Sequence, residues 1–203
     1  MAEKPILFNT EMVRAILDGR KTMTRRICKL DTANFDYDLK DKDYGPFLQN
    51  EYGDSINVKK LSPYQPGDKL YVRETWAHLG YADHTTYGVN DFYVYKANNR
   101  YELEQMEACG FEGWHPSIHM PKEAARIWLE ATNVRVERLQ EITEEDAKAE
   151  GMKPVTNNSG TMHRYKFRKI WDSTVKKQDL HLYGWDASPW VWVIEFKRLE
   201  VRP

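Results

Sequence analysis

The sequence predicts an α+β fold, a small and mainly antiparallel or mixed β-barrel with helices on its flanks. Three observations carry that prediction. Segments with strand character outnumber helical ones and mostly follow one another directly, rather than alternating with helices. Lys69–Trp76 alternates as a half-buried strand should, and Trp190–Phe196 is the clearest strand of the chain. The chain has 203 residues, enough for one core that carries insertions.

The elements follow in order. Pro5–Asn9 has the look of a short buried strand. Thr10 is placed to cap the helix that follows, in which Met12, Val13, Ile16 and Leu17 keep helical spacing, and Gly19 ends it. Thr24–Cys28 is a second strand. Asp31–Pro66 is rich in Asp, Tyr, Lys and Asn, poor in aliphatics and without period, so it reads as a loop or insertion. Pro66-Gly67-Asp68 signals a turn before the strand Lys69–Trp76. Asp91–Ala97 is a further strand, Arg100–Gly110 a short helix, and Trp114–Pro121 a loop bracketed by Pro116 and Pro121. Two strands, Ala125–Ala131 and Asn133–Leu139, come next. Thr143 caps a helix with Glu144, Glu145 and Asp146 in its first turn and Gly151 near its end. Thr161–Val175 is a helix with one buried side, marked by Tyr165, Phe167, Ile170 and Trp171.

Composition narrows the function. Net charge is −1, from 30 basic and 31 acidic residues, so no global field holds nucleic acid and any such binding needs a local patch. Cys28 and Cys109 make no disulfide framework, and neither a leader-like segment nor an apolar membrane span is visible. The expectation is a cytoplasmic protein with no membrane and no obligatory protein partner.

The local patch is Gly19-Arg20-Lys21-Thr22-Met23-Thr24-Arg25-Arg26, with four cations in eight residues. It is not a triphosphate-binding loop, because it follows a helix and Arg20 stands where that loop needs glycine. The bland reading is a solvated basic strand edge. The chemical one is a Lys beside hydroxyls, where a desolvated Lys21 takes the proton of Thr24. Strict alternation sets Thr22, Thr24 and Arg26 on one face and Lys21, Met23 and Arg25 on the other, so Lys21 and Thr24 need a bend to meet. Arg73 and Glu74 before Trp76 suit a pocket wall, and the proline-bracketed loop with Ser117 and His119 suits rigid recognition. His115 and His119 with Cys109 make no complete metal set, so no metal or other cofactor is expected. Glu150 closes a helix, where the dipole disfavours a carboxylate, which suggests a partner or a task.

Taken together, these motifs resemble the ASCH domain. They are the basic run, Pro66-Gly67-Asp68, Ile142-Thr143-Glu144-Glu145-Asp146-Ala147 with Glu150-Gly151-Met152, and Val193-Ile194-Glu195-Phe196. Val72–Trp76, Pro116–Pro121 and Trp185–Val191 are similar to a longer bacteriophage and prophage branch. The resemblance implies a single PUA-like domain over 1–203, with insertions near 31–63 and 153–160. It also implies a cleft for RNA or a single nucleoside. The small bacterial members are amidohydrolases that remove the acetyl group of N4-acetylcytidine. By that resemblance Lys21 is the base, Thr24 the nucleophile and Glu150 the assisting carboxylate. Arg20, Arg26, Arg73, Glu74, Trp76, Ser117 and His119 are then substrate-binding residues. The alternative is an RNA or modified-base binding module, or a ribonuclease, with Arg20, Lys21, Arg25 and Arg26 on phosphates.

Overall fold

The computed structural model describes residues 2–29, 36–38, 47–49, 55–83, 88–98, 100–157 and 160–200. The strands are β1 (Glu3–Leu7), β2 (Met23–Ile27), β3 (Asp36–Asp38), β4 (Phe47–Gln49), β5 (Ser55–Asn57), β6 (Lys69–Arg73), β7 (Trp76–Asp83), β8 (Gly88–Tyr95), β9 (Trp128–Arg138), β10 (Val155–Asn157), β11 (Gly160–Met162) and β12 (Trp190–Leu199). The helices are α1 (Thr10–Leu17), α2 (Leu103–Ala108), α3 (Glu144–Ala149), α4 (His163–Thr174) and α5 (Leu180–Tyr183). No helix among the described residues is long and apolar enough to cross a membrane.

The centre is a five-stranded sheet in the order β1-β6-β9-β12-β2. β1 runs parallel to β6, and the other pairs are antiparallel. The fold is therefore mixed α/β and rich in antiparallel pairing. Among the described residues no ladder joins β1 to β2, so the expected closed barrel is absent from the hydrogen-bonding pattern. A side chain spans the two edges instead: Arg26 Nη2 of β2 donates to the Leu7 carbonyl of β1 at 2.7 Å.

Both faces of this sheet are covered. On one, Ile6, Leu70, Val72, Leu129 and Ile194 pack with Val13 and Ile16 of α1. On the other, Met23, Val191 and Val193 meet Ala147 of α3 and Phe167 and Trp171 of α4. The hairpin β7–β8 has its own small core, where Ala77, Leu79 and Val94 close on Met106 of α2. Part of the expected Asp31–Pro66 loop lies outside the described residues, and the rest contributes the small sheet β3-β4-β5.

Several boundaries move for physical reasons. Asn9, not Thr10, caps α1: its backbone is extended and its Oδ1 accepts from Met12 N at 2.9 Å. The two strands expected over 125–139 are one, β9, with a register shift opposite Glu195 and Phe196. A bulge there absorbs the break in alternation that makes the sequence look like two strands. Lys69–Trp76 is not continuous. Glu74 leaves the ladder after β6, buried and held by Arg126, and β7 starts afresh at Trp76.

Candidate active site

The basic run leaves α1 through Gly19, whose φ of 72° is the left-handed turn expected of a C-terminal glycine. Lys21 and Thr22 lie outside β2. They are anchored to the end of α3 instead, through a bridge between Lys21 and Glu150 and a bond from Thr22 N to the Ala149 carbonyl (2.8 Å). This frees Lys21 from strand alternation. Its Nζ stands 5.5 Å from the centre of the Phe8 ring, and the Arg26 guanidinium stands 5.2 Å from the same ring. Thr24 and Arg26 pair across the ladder with Ile194 and Trp192, which pack in one cluster with Phe8. Thr24 and Arg26 thus share the side of the sheet that carries Phe8, and the Lys21 ammonium, outside the strand, reaches toward the same ring.

The Lys21 side chain is sealed from solvent, with 0% exposure. Its ammonium donates to the Met23 carbonyl (2.7 Å), the Glu150 carbonyl (3.0 Å) and Glu150 Oε2 (2.5 Å). All three of its protons are committed to acceptors. Burial pulls the Lys21 pKa below its ordinary value, and the attraction of Glu150 only partly opposes that. The Thr24 hydroxyl takes none of these bonds, so the resting contact of Lys21 is with Glu150.

The other oxygen of Glu150 accepts from Arg25 Nη1 at 3.3 Å. Arg25 points to the opposite face of β2 and is sealed too, with 0% side-chain exposure. It donates to Glu137 (2.5 Å) and Asp146 (2.8 Å), and Arg135 ties Glu137, Asp146 and Glu195 into the same network. Burial lowers the Arg25 pKa, yet Glu150, Glu137 and Asp146 outweigh it and raise the net value. The basic run is therefore not a solvated edge: Lys21 and Arg25 are closed off from any phosphate backbone. Arg26, lowered by burial, remains beside Tyr64, whose hydroxyl donates to the Pro5 carbonyl at 2.9 Å.

The remaining predicted residues lie apart. Arg20 is pinned by Asp18 (2.8 Å) and by the Gly151 carbonyl (2.8 Å), on the α3 side of Lys21. Arg73 Nε donates to the Met120 carbonyl, Glu74 is clasped at both oxygens by Arg126 (2.9 Å each), and Trp76 packs on His115 with ring centres 4.9 Å apart. Ser117 and His119 form the short turn just before Met120. Among the described residues no hydrogen bond, ion pair or ring contact joins this second group to Lys21, Thr24 or Glu150. The groups meet only through the backbone, where Phe8 N donates to the Arg73 carbonyl at 3.1 Å.

Sequence reasoning overlooked Phe8, Tyr64 and the Arg25 network. Arg135 and Glu137, two apart on a strand, were the available signal, since charged residues repeating at period two on a covered face need partners there. Among the described residues no cluster of three His, Cys, Asp or Glu side chains could hold a metal ion.

Fold and site together define a mixed α/β protein with a buried Lys–Glu pair whose second carboxylate oxygen is held by a buried arginine. No protein-family model, curated protein or solved structure matches this chain.

Proposed function

We propose that the protein is an ASCH-like, PUA-like amidohydrolase that removes an acyl group from the exocyclic amine of a modified cytidine such as N4-acetylcytidine. The observation that carries the reading is the sealed Lys21–Glu150 pair at 2.5 Å, with Thr24 close to Lys21 along the chain. A lysine whose pKa is lowered by burial gives up its proton more readily than a free one, and Glu150 is hydrogen-bonded to it at 2.5 Å.

In the proposed reaction the neutral Lys21 amine takes the Thr24 hydroxyl proton as Thr24 Oγ attacks the acyl carbon. The oxyanion forms against the Arg26 guanidinium. Collapse breaks the carbon–nitrogen bond, and the Lys21–Glu150 pair returns a proton to the leaving amine. Water then hydrolyses the Thr24 ester, releasing the carboxylate and restoring the hydroxyl. The rival reading, phosphate binding by the basic run, is disfavoured because Lys21 and Arg25 are sealed.

Acetate release from N4-acetylcytidine, followed by NMR, tests the proposal. Lys21→Ala and Thr24→Val are each expected to lose about 10²–10⁴-fold in kcat. Wild-type protein that releases no acetate from a panel of N-acylated nucleosides, or Thr24→Val with full activity, overturns it.

A further inference from the structure

A cavity of about 240 Å³ opens between α1, the turn after α3 and α4. Glu150 and Arg20 line it, but Thr24, Arg26 and the Lys21 side chain do not, so it adjoins the site above and shares Glu150 with it. Met12 and Ala15, one helical turn apart on α1, form one apolar wall, and Met152 and Ile170 the other. The space between them depends on Gly151. Its φ of 87° and its approach to Ala15 bring the 150–152 segment against α1. Met12 and Met152 both line the cavity, and methionine sulfur makes favourable contacts with aromatic rings.

The charge of the wall is unbalanced. Glu11 is paired with Arg14, and Glu150 with Lys21 and Arg25, so both carboxylates are neutralised from outside the cavity. Arg20 is fixed by Asp18 and the Gly151 carbonyl. Lys153 and Lys166 also line the cavity, from different elements. Both are exposed, and neither has an ion pair or hydrogen bond with a described residue. The apolar interior therefore opens under two uncompensated ammonium groups, a pattern that selects a small ring bearing an anion.

We infer that this cavity binds a pyrimidine nucleoside monophosphate, the ring between Met12 and Met152 and the phosphate on Lys153 and Lys166. The choice of pyrimidine rests on the proposed function; the requirement for a flat ring with one anionic group does not. The phosphate can belong to a free nucleotide or to the end of an RNA strand, and the chemistry of the contact is the same.

Isothermal titration calorimetry with CMP, cytidine, inorganic phosphate and a cytidine trinucleotide tests this on the intact protein. CMP is expected to bind at least about tenfold more tightly than cytidine or phosphate, the size of one charge-assisted hydrogen bond. The advantage disappears in the Lys153→Glu/Lys166→Glu double variant, whose changes lie on exposed side chains. Thr24→Val retains CMP affinity, because Thr24 does not line the cavity. A trinucleotide tighter than CMP assigns the phosphate to RNA, and equal affinity assigns it to the free nucleotide. Equal binding of CMP and cytidine, no binding of CMP, or undiminished binding by the double variant overturns the inference. Because CMP carries no acyl group, failed acetate release does not imitate any of these outcomes.

Discussion

At the scale of single residues, the central fact is that Lys21 keeps a charge partner while losing water. Its ammonium has three acceptors and no solvent, and burial still holds its pKa below the ordinary lysine value of 10.5. The linkage has a definite sign. Between the folded and unfolded pKa values the unfolded chain binds more protons at this position, so the Lys21 contribution to stability rises with pH across that window. The same titration governs reactivity if the neutral amine is the base. The pH profile of kcat/KM is expected to show a rising limb below the ordinary lysine range, measured by acetate release. A profile that stays flat until about pH 10.5 excludes Lys21 as the base. The Lys21–Glu150 pairing was readable because each residue sits in a motif. Arg25 was not, since its partners Glu137 and Asp146 are 112 and 121 residues away along the chain. In the sequence it is one more cation in a basic run; only the fold shows that it holds the second oxygen of Glu150.

At the scale of elements, the site depends on how closely α1 approaches the end of α3. Gly151 is the point of contact. A Cβ there would lie 2.7 Å from Ala15 Cβ and 3.0 Å from Lys21 Cβ, in a backbone region that side chains avoid. Gly151→Ala is expected to cost about 3 kcal/mol, read by urea denaturation, from strain and overpacking together. Stability equal to wild type would mean that α1 and α3 are not packed as described. Helix identities were readable because capping residues and apolar spacing are local signals: Thr143 accepts from Asp146 N at 3.0 Å, and α4 buries Phe167 and Trp171, although Tyr165, expected on the same side, is exposed. Strand limits were less readable. The bulge in β9 and the break at Glu74 are set by partners distant in sequence, β12 in one case and Arg126 in the other.

For the whole molecule, the sheet separates two apolar layers, and the Arg25 network fastens β2 and β9 to α3 across the second. Removing the cation leaves Glu137, Asp146 and Glu150 with less compensation inside the protein. Arg25→Ala is expected to lower global stability by about 3–5 kcal/mol, the usual cost of stranding buried charge. Thermal unfolding measures it, and a loss below about 1 kcal/mol would assign the network to the surface class of ion pairs. An antiparallel-rich mixture of strands and helices followed from the pattern, whereas β7, the short strands β3–β5, β10 and β11, and the strand order did not, because the pairing of β1 with β6 and of β2 with β12 leaves no local trace. That order has a consequence for how the protein is made. Leu7, Lys21 and Thr24 are made before their partners: β1 waits for Lys69 to Arg73 before it can pair, and Lys21 waits for Glu150. Among the described residues β2 finds its ladder partner in β12, far along the chain. A nascent chain halted before β12 therefore holds every residue of the basic run but leaves Met23–Ile27 without its ladder.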